Sequence, residues 1–396
     1  MASRKRARVD LEVDANPFTI EYPNTNADKK SKKRRRDDSA VTIQTSELQV
    51  SPFAPRGQFK DPGHKMDRHY KVLPTEEWNE MTRYNSFVIN GVRYGKGSCV
   101  FVANSSTIHV SRNPAQVLRA TDKSQEDWVA HILEIKAKDA DHVYARVYWM
   151  YWPDELPDRS VYHGKQVRGR QPYHGMNEVV ASNHMDIINV ISVTSPATVE
   201  QWDELNEDDV QRALYWRQAL DVCTMELSSV LERCICTEPE NPDKVLISCS
   251  NEKCGIWLHA DCLAQKSLMA TWERLGPFKP HIAVKQEEVA HSPGRTAVSG
   301  QAFVDIKTEK GVNSQSTYYA VRRGDLASLS TVPKKSRGRP KKLSSSDEEG
   351  PYEFTAVIIN DPENPAVIEI TDLRDVGGES SWRETLKCLG CGETIQ

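Results

Sequence analysis

Eight residues of metal-ligating type follow one another in the C-terminal half: Cys234, Cys236, Cys249, Cys254, His259, Cys262, Cys388 and Cys391. Thiolates and an imidazole suit tetrahedral Zn2+, and eight such groups make two closed, four-coordinate and therefore structural sites. The chain has nine cysteines, and its basic start, MASRKRARVD, has no apolar stretch behind it. A reducing compartment is expected, where thiols bind metal rather than pair. Cys99 and Cys223 are left over and read as small buried hydrophobes. A second constellation is aromatic. Residues 147–157 read VYWMYWPDELP, with Tyr148, Trp149, Tyr151 and Trp152 inside five positions. In a strand, successive side chains turn to opposite faces, so Trp149 and Tyr151 share one face and Met150 and Trp152 the other. Such a face lines either a core or a cage for a quaternary ammonium, the group a methylated lysine presents. No phosphate-binding loop or nucleophile motif accompanies them, and the reading is of a protein that is not an enzyme.

The elements that must position these groups are mostly strands. From Phe87 the run FVINGVRYGKGSCVFVANSS mixes β-branched and aromatic residues with glycine. Residues 128–136 (WVAHILEIK) and 143–151 (VYARVYWMY) predict two more strands, joined by a polar link of hairpin length. Further short strands are expected near 178–181 and 187–193. Turns every ten or so residues predict a small all-β barrel. Over 208–233 the spacing of Val210, Leu214, Leu220, Leu227, Val230 and Leu231 predicts a helix after the acidic stretch at 206–209. Residues 354–359 and 367–370 predict a strand pair joined by NDPENP.

Hydrophobic residues make up 38% of the 396, below the roughly 45–50% usual for globular domains, so part of the chain is expected to stay outside any core. Residues 1–70 and 266–350 are polar, without sustained period, and read as disordered. The net charge of −4 names no partner, but its distribution does. RKRAR at 4–8 and KKSKKRRR at 29–36 read as nuclear-import signals or nucleic-acid contacts. Nothing approaches the run of about 18 apolar residues that a membrane span needs.

The last two subsegments resemble known modules. The run from Cys234 to Cys262, with Trp257 two residues before His259, resembles a PHD finger. In that family the ligands interleave, which implies one zinc on Cys234, Cys236, His259 and Cys262 and another on Cys249, Cys254, Cys388 and Cys391. The departure is the long gap between Cys262 and Cys388; closing a long loop costs only slowly more entropy. The β-rich block is similar to a BAH domain in YGKGSCVFV, DWVAHILEI, VYARVYWMYWPDE and YHGMNEVVASNHMDII. The implied order is a basic tail (1–70), a BAH domain (87–205), a connecting helix (206–233), the first part of a PHD-like finger (234–265), an insertion (266–350), and a strand pair that completes the finger (351–396).

The resemblance is to plant and fungal BAH–PHD proteins, several of which read the Polycomb mark, a trimethyl-lysine of the histone H3 tail. By position it implies a cage of Trp128, Trp149 and Tyr151, with His184 and Asp186 holding the histone backbone. It further implies a nuclear chromatin reader acting in repression, for which Trp149→Ala or Tyr151→Ala abolishes binding and leaves the fold intact. The alternative is a scaffold that recruits a repressor complex, with these aromatics in its core. KKSRGRPKK at 334–342 resembles an AT-hook, whose Arg337, Gly338, Arg339 and Pro340 would enter an A·T-rich minor groove. Lys285 and Lys307 stand in SUMO-type patterns, and Ser345 and Ser346 precede acidic residues as acidophilic kinases prefer.

Overall fold

The structure, a computed structural model, describes residues 16–23, 46–104, 107, 127–206, 209, 211, 213–282, 318–322, 352–359 and 365–396. They form two compact units, Met1–Leu231 with Asn241–Asp243, and Glu232–Glu240 with Lys244–Gln396. Both are built mainly of strands, as expected.

The first unit is organised by the hairpin of Trp128–Ala137 and Val143–Met150, which pair antiparallel from Val129↔Met150 to Ala137↔Val143. Asp139 closes the turn, its carboxylate accepting from the amides of Asp141 and His142 at 2.9 Å each. Met185–Asn189 flanks the hairpin on one side, and Cys99–Val102 followed by Val193–Ala197 on the other. Both faces of this sheet are covered, so the strands read as near-continuous hydrophobic runs. Tyr148, Met150 and Trp152 enter one core cluster, and Val147, Trp149 and Tyr151 the other. A bulge between Ile132 and Glu134 leaves Leu133 as an extra residue, which re-aims Glu134 opposite Arg146. Their carboxylate and guanidinium meet at 3.1 Å, and Arg146 also donates to Gln49 Oε1 at 2.7 Å.

Parts of the expected N-terminal tail are folded. Thr19–Glu21, Arg68–Leu73 and Glu47–Gln49 form a three-stranded antiparallel sheet. Phe18, Phe53, Phe59, Met66 and Tyr70 are buried in the first core cluster. Phe18 stands edge-on to Trp78 and Tyr144, with centroids 5.2 and 5.1 Å away. Each stretch contributes one or two isolated anchors with distant partners, and isolated anchors leave no periodicity to read.

Among the described residues of 206–233 the expected connecting helix does not form. Its described residues hold the short strands Leu214–Trp216, Ala219–Asp221 and Glu226–Leu227. The first two are buried at every residue, and a run buried all round carries no period of two to set against a helical one. Between them Arg217 is held by Glu178 at 3.1 Å and Glu204 at 2.7 Å. Burial opposes its charge, but Glu178 and then Glu204 outweigh this and raise its pKa.

The helix that follows the β-unit comes later. In the second unit Leu246–Ser248 pairs antiparallel with Trp257–His259, and the helix Ala260–Leu275 begins directly after. The helix therefore runs ten residues into the stretch read as disordered, and Tyr318–Arg322, also within it, forms a strand. That strand, Tyr352–Ile359, Val367–Asp372 and Ser381–Thr385 make a four-stranded antiparallel sheet, so the expected strand pair is its middle. Leu263 and Leu268 of the helix and Phe354, Ile368 and Ile370 of the sheet share one core with Cys234, Cys249 and Cys388.

Candidate functional site

The second unit gathers the eight ligand-type residues into two groups. Cys234, Cys236, His259 and Cys262 form one, and Cys249, Cys254, Cys388 and Cys391 the other; within each, the ligand atoms all lie within 4.8 Å of one another. The strand pair delivers His259 at one end and Cys249, just past Ser248, at the other, and the first helical turn delivers Cys262. Cys388 and Cys391 arrive from beyond the four-stranded sheet. A tetrahedral ion with metal–sulfur bonds of about 2.3 Å sets its sulfurs roughly 3.8 Å apart. Cys249 and Cys391 are 3.6 Å apart and Cys254 and Cys388 3.8 Å. Cys236 and Cys262 Sγ stand 3.3 and 3.7 Å from His259 Nδ1. Backbone amides of His259 and Gly390 donate to Cys234 and Cys388 Sγ at 3.5 and 3.4 Å, as thiolates require. Residue type and spacing fit a four-coordinate metal in each group.

The first unit gathers the aromatic residues. Trp128 opens one strand, and Trp149 lies near the end of its neighbour. Their rings meet edge to face, with centroids 5.5 Å apart and planes at 76°. Tyr151 follows, held in an antiparallel bridge to Val180. Its ring stacks on His184 at 6.1 Å, and its hydroxyl is 2.7 Å from His184 Nδ1. Trp149 Nε1 donates to Asp186 at 3.3 Å, and its amide donates to the His184 carbonyl at 2.9 Å. The five residues named by resemblance thus belong to one neighbourhood. Trp149 is 3% exposed and Tyr151 6%, inside the second core cluster, while Trp128 is the partly exposed ring at its margin.

Glu155, not among the expected site residues, accepts at its carboxylate from Trp128 Nε1 at 2.8 Å. The available signal was the Pro-Asp-Glu that trails the aromatic run. The leftover cysteines divide. Cys99 is half-buried beside His131 and Met150, and burial pushes its thiol up to about 12. Cys223 is exposed, not buried, on the turn after Ala219–Asp221. Arg337, Gly338, Arg339, Pro340, Lys285, Lys307, Ser345, Ser346 and the basic runs at 4–8 and 29–36 lie outside the described residues.

A β-unit with this aromatic neighbourhood, followed by a unit with two interleaved ligand groups, is similar to chromatin proteins of the BAH–PHD class. In particular, the chain is 22% identical over 223 residues to the chromatin remodeling protein SHL of Arabidopsis thaliana, covering 54% of this chain and 90% of that protein. It is 24% identical over 153 residues to the chromatin remodeling protein EBS of the same plant, covering 37% of this chain and 59% of that one. Among solved structures, the BAH domain of yeast Rsc2 matches at 13% identity and a TM-score of 0.26, over 38% of this chain and 55% of that one. No family model matches the chain.

Proposed function

We propose that the protein is a nuclear, non-enzymatic chromatin reader acting in transcriptional repression, and that Trp128, Trp149 and Tyr151 receive a trimethylated lysine of the histone H3 tail, the Polycomb mark. The observation that carries this is the edge-to-face meeting of Trp128 and Trp149, centroids 5.5 Å apart, with Trp128 packed against the core cluster that holds Trp149 and Tyr151. The indole N–H groups of Trp128 and Trp149 are directed at two carboxylates, those of Glu155 and Asp186. Each face offers about 0.5–2 kcal/mol of cation–π attraction, most when water is excluded. The ammonium enters at Trp128, the exposed margin, and His184 and Asp186 lie on the segment along which the peptide backbone runs. Each ligand group of the second unit holds a Zn2+ that fixes the finger's fold; the ion takes no part in recognition. Residues 337–340 add contact with A·T-rich DNA.

Fluorescence-polarisation titration of the intact chain with trimethylated and unmodified H3 peptides tests the reading. A preference for the trimethylated peptide that Trp128→Ala removes is expected. Equal affinity for both peptides sinks it. One observation favours a second reading, a scaffold that recruits repressor-complex subunits: Trp149 and Tyr151 are almost wholly buried. Tryptophan fluorescence that ignores the methylated peptide would favour the scaffold.

A further inference from the structure

Trp128 and Trp152 tie the two central strands together by reciprocal donations. Trp152, just past the end of Val143–Met150, donates its Nε1 to the carbonyl of Asp127 at 2.9 Å. Trp128, the next residue along, donates its own Nε1 back to Glu155 at 2.8 Å. Glu155 closes the 3-10 turn Pro153–Glu155, whose first residue is a proline with its φ already fixed. The turn is held by the Glu155 amide donating to the Trp152 carbonyl at 2.9 Å and the Leu156 amide donating to the Pro153 carbonyl at 3.2 Å. Trp152 itself is 5% exposed, so the base of the turn is anchored in the core. Asp127 is fixed as well, its carboxylate accepting from Thr194 Oγ1 at 2.8 Å. The carboxylate of Glu155 is therefore presented from a rigid support to the one ring of the aromatic group that borders solvent.

We infer that Glu155 is a positioning residue that holds the Trp128 indole edge-on to Trp149 and so sets the open wall of the aromatic site. A charged acceptor makes a stronger bond than a neutral one. Donating an N–H to an anion also raises the electron density of the indole, which strengthens its face toward a cation. Trp149 is 3% exposed and has its own acceptor in Asp186 at 3.3 Å. Trp128 is the partly exposed ring, and its bond to Glu155 fixes the orientation of the indole about χ2. The inference rests on the proposed cage for its consequence in binding, but not for the bond itself.

The two are separated by two measurements on the full chain. In 15N-indole NMR spectra, the Trp128 resonance is the one missing from Trp128→Phe. Glu155→Ala is expected to move that resonance and speed its hydrogen exchange, while Glu155→Gln, which keeps an acceptor oxygen, leaves it near its place. With the trimethylated H3 peptide, Glu155→Ala is expected to lose roughly tenfold in affinity, Glu155→Gln clearly less, and both to keep the wild-type thermal midpoint. An unmoved Trp128 resonance in Glu155→Ala overturns the inference, as does full peptide affinity in that variant. If the wild-type chain shows no methyl preference, the cage reading fails while the NMR measurement still decides whether Glu155 positions the ring.

Discussion

Cys249 and Cys391 bring their sulfurs to 3.6 Å although 142 positions separate them in the chain. The four-stranded sheet between them is thereby built into the finger, in one core with the helix. The second ligand group forms only when that sheet has folded, whereas the first is complete by Cys262. Cys391→Ser is therefore expected to lower the metal content from about two ions per chain to about one. It should also lower the unfolding midpoint of the second unit. Native mass spectrometry reads the stoichiometry, and two ions retained in the variant would exclude Cys391 as a ligand.

The aromatic residues divide by burial, which changes what their substitution means. Trp149 at 3% exposure and Tyr151 at 6% belong to the core cluster, so the expectation that alanine there leaves the fold intact is replaced. Trp149→Ala is expected to cost about 3–5 kcal/mol of stability. Trp128→Ala, at the margin, should cost far less while removing the methyl preference. Urea denaturation of both variants checks this, and a wild-type midpoint for Trp149→Ala would show that its ring is not part of the core.

His174 predicts an acid limit for the first unit. The amide of Gln171 donates to its Nδ1 at 2.9 Å, so the ring proton sits on Nε2, 3.1 Å from Gln218 Oε1. Burial lowers its pKa below the ordinary 6.5, and burial lowers that of His131 likewise. A depressed histidine contributes stability that is fully present above the unfolded value and is lost as pH falls toward the folded one. Stability measured by denaturant is expected to begin falling below about pH 6.5. His174→Gln should flatten that decline, and an unchanged slope would remove His174 as its source.

Glu178 and Arg217 are both buried, with side chains 0% and 1% exposed. Arg217 also donates to the Tyr173 carbonyl at 2.7 Å, which fixes the loop carrying His174. Glu178→Gln removes one of the carboxylates that Arg217 engages among the described residues, and should cost about 3–5 kcal/mol. Glu178→Asp is expected to recover part of it. A denaturation midpoint within error of wild type for Glu178→Gln would show that the Glu178 charge is not needed to hold Arg217.

Local pattern and residue chemistry make part of this protein legible from its residues. The strands 128–136 and 143–151 were legible because their composition is β-branched and aromatic, and the sides taken by Trp149 and Met150 followed from alternation. The eight ligands were legible because thiols and imidazole at those spacings have few other uses. Tertiary structure alone decided the rest, because it depends on contacts between distant positions. Phe18 and Phe53 carry no local signal until Trp78, Tyr144 and Trp216 surround them. The buried strands after Leu214 mimic a helix until their partners are known. Glu155 gains its place only when the hairpin brings it to Trp128, 27 positions away, and two strands must pair before that indole has a partner.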